Sequence, residues 1–437
     1  MRILIGVSNF GKIKSAEIDV SNFAVFVGEN DTGKSSLLML TYGLLQRLPK
    51  LEILVDDYEI TENTKIELER GTEWFSDYEK KVNMYLDKNK ENIIEDIFRR
   101  PISIGSIYIK IADIDEKIKI QFNGQGGPEN TIDNSQKDSE YPKKSSRIQL
   151  YIEKQRSETN EILYSSRVSF TINQSKEFIK LYVEREVTGL IWNLFMGRKE
   201  VLFLPDSKAG IQLLYKYFFA EREKKPTAKS GRNKEKVQEN ELKLPSPVYD
   251  FFEFLLKYTP NNKAIKDNSK LIAFIEGHLI NGRLQQKGDE TVYIHEDTDK
   301  DIPLYACSSA INELAPIIKA LTGAADYQYF FYDAVETCLD LRKQKEMARL
   351  LMRLNNSGKR LIISTHSDTM TSEINQLVQL SHRNCTEKEK QKKLDKLNLT
   401  DEDLPKSENI HIYQFLNQGD GTSVVNELKP KDSFIQI

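Results

Sequence analysis

The sequence predicts an α/β fold: a mixed N-terminal sheet, a mainly parallel core sheet covered by helices, and a mixed α/β insertion. Three observations predict it. Residues 308–380 alternate helix, strand, helix, strand, helix, the pattern of a parallel sheet wrapped by helices. Near the N-terminus the apolar run "NFAVFV" (22–27) passes through "GENDTGKS" straight into the helical "SSLLMLTYGLLQRL" (35–48). Near the other end, "IHIYQF" (410–415) and "TSVVNEL" (422–428) read as a closing hairpin.

Taken in order, residues 3–10 and 16–20 alternate apolar and polar like a pair of strands, and 22–27 reads as a buried one. Strand-like alternation returns at 106–122 and 161–172, separated by a turn-rich polar stretch at 123–146. Residues 175–195 and 210–223 read as helices, with a strand at 200–205 between them. Residues 247–282 look largely helical, and 291–296 pairs with the region near 303. The regular series follows: helix 308–321, strand 328–333, helix 338–355, strand 360–365, helix 368–380. Residues 384–405 are charged, a helix plus loop. The expected domains are 1–50, carrying the glycine-rich loop; 51–200, a mixed insertion; 201–300, a helical lobe; and 301–437, the rest of the core.

Composition narrows the class. The chain has 437 residues, 30% charged and 39% hydrophobic, with a net charge of −3. No run approaches the ~18 apolar residues that cross a bilayer, so no membrane is expected. Cys307, Cys338 and Cys385 lie far apart, and the five histidines show no metal-ligand spacing. That points to a reducing cytoplasm and against a disulfide scaffold or a zinc site. One stretch departs from the charge balance: residues 222–236 hold seven basic and two acidic residues. It reads as a solvated loop, or as a contact for nucleic-acid phosphates.

The loop Gly28 to Ser35 matches G-x4-G-K-[ST], the phosphate-binding P-loop, and its strand-before, helix-after context fits. Gly28 and Gly33 permit the tight turn, and the amides of Asn30, Asp31, Thr32, Gly33, Lys34 and Ser35, with Ser36 behind them, line a helix N-terminus suited to phosphate. Lys34 reaches the β- and γ-phosphates of ATP or GTP, and the Ser35 hydroxyl ligates Mg²⁺. Such sites need a strand-borne acid as well. "YFFYD" (329–333) supplies Asp333, and "RLIISTHSD" (360–368) delivers His366 to a strand's C-terminal end, where ligands sit in open α/β sheets.

These pieces, in this order, resemble the ABC-class ATPases of the SMC-like type, particularly the OLD-related ATPases of bacterial anti-phage systems. "VLFLPDSKAGI" (201–211) resembles a segment that usually has Arg at the position of Lys208. "CSSAINEL" (307–314) resembles the signature that opens a helix, "FFYDAVETCLDLRKQ" (330–344) the Walker B strand and D-loop, and "LIISTHSD" the switch-histidine strand. The resemblance spans roughly 1–50 and 200–430 and is weak over 51–200. It implies an ABC-type P-loop ATPase head with ATP and Mg²⁺ as cofactors. Lys34 and Ser35 take the Walker A roles and Asp333 the Walker B acid. Ser308 and Ser309 contact the ATP of a second subunit, Asp340 falls in the D-loop, and His366 is the switch. Two departures stand out. Ala310 replaces the usual Gly of the signature, and Ala334 occupies the position of the catalytic glutamate. Ala334 is an engineered trap of the ATP-bound state or marks a naturally slow ATPase. Glu336, two residues on, is a candidate substitute base but is expected to point elsewhere.

The resulting expectation is an ATP-binding, slowly or non-hydrolysing SMC-like ATPase. It forms a homodimer or higher homo-oligomer around ATP and controls a separately encoded effector, a nuclease or toxin, in anti-phage defence. The alternative is a DNA-repair ATPase that clamps nucleic acid directly, against which stands the lack of a long heptad run. A transporter subunit fits the interrupted signature and the 51–200 region poorly.

Overall fold

The computed structural model describes residues 2–51, 53, 55, 65–70, 72–113, 118–123, 147–150, 162–164, 168–171, 185, 188–189, 192, 200–215, 244–288, 290–298, 300–382, 387–406 and 410–428. The basic segment 222–236, the polar stretch 124–146 and most of the expected helix 175–195 lie outside them. Strands are β1 (Arg2–Phe10), β2 (Ile13–Asp19), β3 (Phe23–Gly28), β4 (Lys65–Arg70), β5 (Ser106–Ala112), β6 (Ile118–Asn123), β7 (Arg147–Leu150), β8 (Ile162–Tyr164), β9 (Val168–Thr171), β10 (Glu200–Leu204), β11 (Gly282–Lys287), β12 (Glu290–His295), β13 (Asp301–Pro303), β14 (Tyr327–Tyr332), β15 (Arg360–Thr365), β16 (Ile410–Asn417) and β17 (Ser423–Leu428). Helices are α1 (Lys34–Arg47), α2 (Thr72–Phe98), α3 (Ser246–Lys257), α4 (Asn262–Asp267), α5 (Ser269–Phe274), α6 (Ser309–Thr322), α7 (Leu341–Asn356), α8 (Asp368–His382) and α9 (Glu387–Leu397).

The chain forms two compact units. One comprises Met1–Leu4, Arg47–Lys88 and Tyr108–Phe195; the other comprises Ile5–Gln46, Asn89–Ile107 and Met196–Ile437. In the first, β4 pairs antiparallel with β6, β6 parallel with β8, and β7 antiparallel with β9. Its part of α2 is anchored by aromatic packing: Trp74 stacks on Tyr78 at 5.0 Å, and Trp192 Nε1 donates to the Tyr78 hydroxyl at 2.7 Å.

The second unit is built on strands in the order β10-β14-β15-β3-β16-β17-β2, part of a nine-stranded sheet whose order continues with β1 and β5. Strands β10, β14, β15, β3 and β16 are all parallel, and β17 turns back antiparallel on β16. The mixed α/β class and the parallel core expected from the sequence are both present. The period-2 alternation of these strands feeds both faces. Phe330 and Tyr332 join Val25, Val27 and Ile363 in a cluster with α6, α7 and α8. Phe331 and Phe203 point the other way, where the Tyr42 ring of α1 lies 5.5 and 5.4 Å from theirs. Each buried aromatic contributes roughly 1.5–3 kcal/mol, so this one layer of rings holds α1 and its leading loop to the sheet.

Two local readings change. The hairpin expected at 291–303 is three-stranded, because "GRLQQK" forms β11 on the other side of β12. Its single apolar centre, Leu284, gives little periodic signal. The helix expected from 338 starts at Leu341, because Asp340 caps it, accepting from Arg342 N and Lys343 N at 2.9 Å. Among the described residues no helix is long and apolar enough to cross a membrane.

A buried ionic knot closes the α7 side. Asp403, fully buried, accepts from Arg349 Nη2 at 3.0 Å, from Arg353 Nε at 2.7 Å and from Thr400 N at 2.8 Å. Burial works to raise its carboxyl pKa, but the guanidiniums of Arg353 and Arg349 and the Thr400 amide outweigh it and hold the group below its usual value. A depressed carboxylate contributes its full stabilisation above the unfolded value of about 3.9 and loses it as pH falls through the folded value. Asp403→Asn is therefore expected to destabilise the protein by about 3 kcal/mol at pH 7 and to flatten the acid limb of stability below pH 4. Urea midpoints across pH 2.5–7 measure both.

Candidate functional site

The P-loop sits at the centre of the parallel sheet. β3 lies between β15 and β16, so its C-terminal Gly28 opens between the ends of two parallel neighbours. Gly28 has φ +138°, and a Cβ there would lie 2.3 Å from the Phe415 carbonyl oxygen. Glycine is thus demanded by the neighbouring strand as well as by the turn. Asp31 (φ +61°) and Gly33 (φ +95°) complete the reversal into α1. The loop is braced from the closing hairpin: Ser423 Oγ donates to Thr32 O at 2.8 Å, and Asn417 Nδ2 to Glu29 Oε2 at 3.2 Å.

Lys34 is buried, and its Nζ donates to Gly28 O at 2.8 Å, Glu29 O at 2.5 Å and Thr32 Oγ1 at 3.2 Å. The ammonium is folded over the loop, its charge held by loop carbonyls. Burial lowers its pKa to about 8, against the upward pull of Asp333, Glu336 and Glu29. Ser35 Oγ donates to Asp333 Oδ1 at 2.9 Å, joining two motifs 298 residues apart in the chain. Asn30 and Asp31 are exposed at the loop tip, and Ser36 is half-buried on α1.

Asp333 follows β14 and is buried, with its N–H donating to Leu204 O at 2.9 Å. Burial raises its carboxyl pKa, opposed by hydrogen bonds from Ser364 and Ser35 and by the Lys208 charge. Ser364, which the sequence reading did not single out, donates its hydroxyl to Asp333 Oδ1 and accepts the Ala334 N–H at 2.9 Å. Ala334 is buried with φ +48°, a conformation that costs an L-residue roughly 1 kcal/mol or more. That kink turns the chain back, and Glu336 swings over the end of β15, where its Oε1 accepts the His366 N–H at 2.7 Å. The expectation that Glu336 points away is therefore corrected. The left-handed residue at 334 reverses the chain direction, which a simple count along an extended strand does not anticipate.

Lys208 is fully buried behind Asp333. Its Nζ donates to Pro205 O at 2.8 Å, lies 3.5 Å from Asp333 O and 4.5 Å from the Tyr332 ring centre, and pairs with Glu313 Oε2 of α6 at 3.0 Å. Ser308 caps α6, its Oγ accepting from Ile311 N at 3.5 Å. Ser308 and Ser309 are exposed. The structure thus brings Lys34, Ser35, Asp333, Ala334 and His366 together with Ser364 and Glu336. Among the described residues, no hydrogen bond links Ser308, Ser309 or Asp340 to the P-loop.

The donor chemistry suits a nucleotide with Mg²⁺. The Ser35 hydroxyl and Asp333 carboxylate are hard oxygen donors already within hydrogen-bond distance, and Lys34 and the α1 amides offer positive charge to phosphate. Among the described residues no cluster of His, Cys, Asp and Glu forms a separate metal site.

A family model described as an AAA ATPase domain matches residues 1–371. Comparison with curated proteins finds no match. Among solved structures, an Smc head bound to the C-winged helix domain of ScpA shares 12% identity, with 98% of this chain and 97% of that one covered, at a TM-score of 0.36. An SMC head domain from Thermotoga maritima shares 10%, covering 98% and 100%, at 0.35. An Smc head with an extended coiled coil, bound to the C-terminal domain of ScpA derived from Pyrococcus furiosus, shares 12%, covering 98% and 96%, at 0.37. The family assignment rests on the match over residues 1–371.

The Lys34 environment gives a measurable signature. Free of ligand, its pKa is lowered to about 8; phosphates against the ammonium push it back up. Between pH 8 and the ordinary lysine value of about 10.4, binding a triphosphate therefore takes up a proton, and affinity falls as pH rises through that window. Calorimetry at pH 8–8.5 in buffers of different ionisation enthalpy is expected to show uptake of roughly half a proton per site. No buffer dependence would contradict the buried, carbonyl-held lysine.

Proposed function

The chain belongs to the family of AAA ATPase domains, and from that premise we propose that it binds ATP with Mg²⁺ at Gly28–Ser36 and works as a nucleotide-gated scaffold. The observation that carries this reading is the Ser35–Asp333 hydrogen bond. It joins the P-loop helix to the acid of a distant strand, the pairing that phosphoryl-transfer sites use to hold a metal. In this reading Lys34 meets the β- and γ-phosphates, and Ser35 and Asp333 hold Mg²⁺, which neutralises phosphate charge when bound. Asn30, Asp31, Thr32 and Gly33 line the phosphate cradle, and His366 lies beside the γ-phosphate.

We place the chain among SMC-like, ABC-type ATPases related to the OLD group, on the motif order read from the sequence. The exposure of Ser308 and Ser309 at the α6 N-terminus suits contact with ATP held by a second copy, with Asp340 in the neighbouring D-loop. Each pair of heads then encloses ATP, and closure or opening controls a separately encoded effector, a nuclease or toxin, in anti-phage defence. Ala334 leaves a methyl group where a catalytic carboxylate is expected, so turnover is slow and the ATP-bound state long-lived.

Three variants test these layers. Lys34→Ala is expected to lose ATP affinity by on the order of 10²-fold while still unfolding as a cooperative, folded protein; unchanged affinity sinks the nucleotide site. Ser309→Arg should retain ATP binding but lose ATP-dependent association in sedimentation; identical association in both proteins rules out the two-headed sandwich.

Ala334→Glu addresses hydrolysis. With a carboxylate restored beside Asp333, steady-state turnover is expected to rise by roughly 10²–10⁴-fold with ATP affinity little changed. Equal rates from two folded, ATP-bound proteins would place the general base elsewhere.

A further inference from the structure

The turn after Asp333 is stitched residue by residue to the end of β15. Ala334 N donates to Ser364 Oγ at 2.9 Å, Val335 N to Ser364 O at 3.2 Å, and His366 N to Glu336 Oε1 at 2.7 Å. Two further bonds close the turn itself, Thr337 N to Ala334 O at 3.1 Å and Leu339 N to Glu336 O at 3.0 Å. The Glu336 carboxylate is thereby fixed over the C-terminal ends of two adjacent parallel strands, β14 and β15, and β15 in turn borders the P-loop strand β3.

Only one of its oxygens is engaged by that anchor. Glu336 Oε2 is shielded from solvent and has no hydrogen-bond partner among the described residues. A buried carboxylate oxygen left without a donor costs on the order of 1–3 kcal/mol or more, so this oxygen calls for a donor that the fold itself does not supply. The same turn begins at Asp333, whose Oδ1 meets both Ser364 on β15 and Ser35 at the start of α1, so the stitched turn and the P-loop helix share one carboxylate.

We propose that Glu336 is the general base for the slow turnover that remains without a carboxylate at 334: Oε1 holds the His366 amide, and Oε2 takes the proton from the water that attacks the γ-phosphate. The inference rests on the nucleotide reading above. The water oxygen forms a bond to the γ-phosphorus, the bond from that phosphorus to the β–γ bridging oxygen breaks, and its electron pair leaves with ADP. The proton lost by the water resides on the Glu336 carboxylate until phosphate departs. No reactant other than ATP and water is required. Residue 334 contributes its backbone geometry, its left-handed φ turning the chain so that the Glu336 carboxylate meets the end of β15.

The experiment uses the full chain, with ATP binding followed by calorimetry and turnover by phosphate release under excess ATP. Lys34→Ala sets the background of contaminating hydrolysis. Glu336→Gln keeps an acceptor oxygen for the His366 amide while removing the base. It is expected to lower residual kcat by on the order of 10²-fold or more, with KM and ATP affinity within a few-fold and unfolding unchanged. In the Ala334→Glu background the same Gln change is expected to cost less than tenfold, because the new carboxylate serves as base. Parental turnover unaffected by Glu336→Gln overturns the proposal, as does ATP binding without turnover above background. An equal loss in both backgrounds overturns it too, because a base supplied at 334 would have spared the second. A parent that binds no ATP fails the nucleotide reading itself, a result visible in calorimetry before any rate is measured.

Discussion

The site depends on one hydroxyl. Ser364 Oγ donates to the Asp333 carboxylate and accepts the Ala334 amide, so a single side chain on β15 fixes both the acid of β14 and the first peptide of the turn that follows. The bond is strong because its acceptor is charged and it is buried. Without it, an acid that burial already pushes toward protonation would lose one of the donors that keep it ionised. A metal needs that carboxylate deprotonated. The hydroxyl therefore links the packing of two core strands to the charge state of the group between them.

Behind the acid, the Lys208–Glu313 pair ties the site to α6. Both side chains are almost wholly buried, where removing charges from water costs several kcal/mol per ion. That cost is offset locally: Lys208 also meets Pro205 O and the Tyr332 ring, and Glu313 Oε1 accepts the Ala209 N–H at 2.9 Å. The arrangement stabilises position more than it stabilises the fold. Glu313 lies little more than one helical turn from the Ser308 cap, so any displacement of α6 pulls on a charge that also touches the Asp333 peptide. Helix end and metal acid are thus mechanically joined through buried charge, a firmer connection than apolar side chains free to slide.

The legible parts of the molecule were those with a local code. G-x4-G-K-[ST] between an apolar strand and a helix located the loop, and the helix–strand alternation after 308 gave the parallel core, because both are short-range consequences of backbone chemistry. Asp333 and His366 were reachable as polar residues ending apolar strands. What escaped was set by tertiary contacts. Ser364 lies inside "RLIIST", where nothing marks a hydroxyl as a bridge rather than a tolerated small residue. Glu336 was misread because its direction follows from a left-handed Ala334, a conformation that an alanine gives no reason to expect. β11 was missed because its pairing with β12, and not its own pattern, makes it a strand. A buried Ser or Lys within or just after an apolar strand is the available signal, since such groups stay buried only when bonded.

The closing hairpin shows how far such a code falls short of the whole site. From sequence, 410–428 was a terminal pair of strands. In the structure β16 is inserted next to β3, and the Phe415 carbonyl lies so near Gly28 that no Cβ fits between them. Ser423 and Asn417 then hold the loop from the far side. A phosphate loop must be rigid enough to aim its amides yet must release the lysine from its own carbonyls when phosphate arrives. Bracing from β16 and β17 fixes the backbone at Gly28 and Thr32 and the side chain of Glu29 while leaving Asn30 and Asp31 exposed. Segments at opposite ends of the chain therefore complete one cradle: the P-loop supplies the ligand groups, and the hairpin supplies the stiffness that makes them effective.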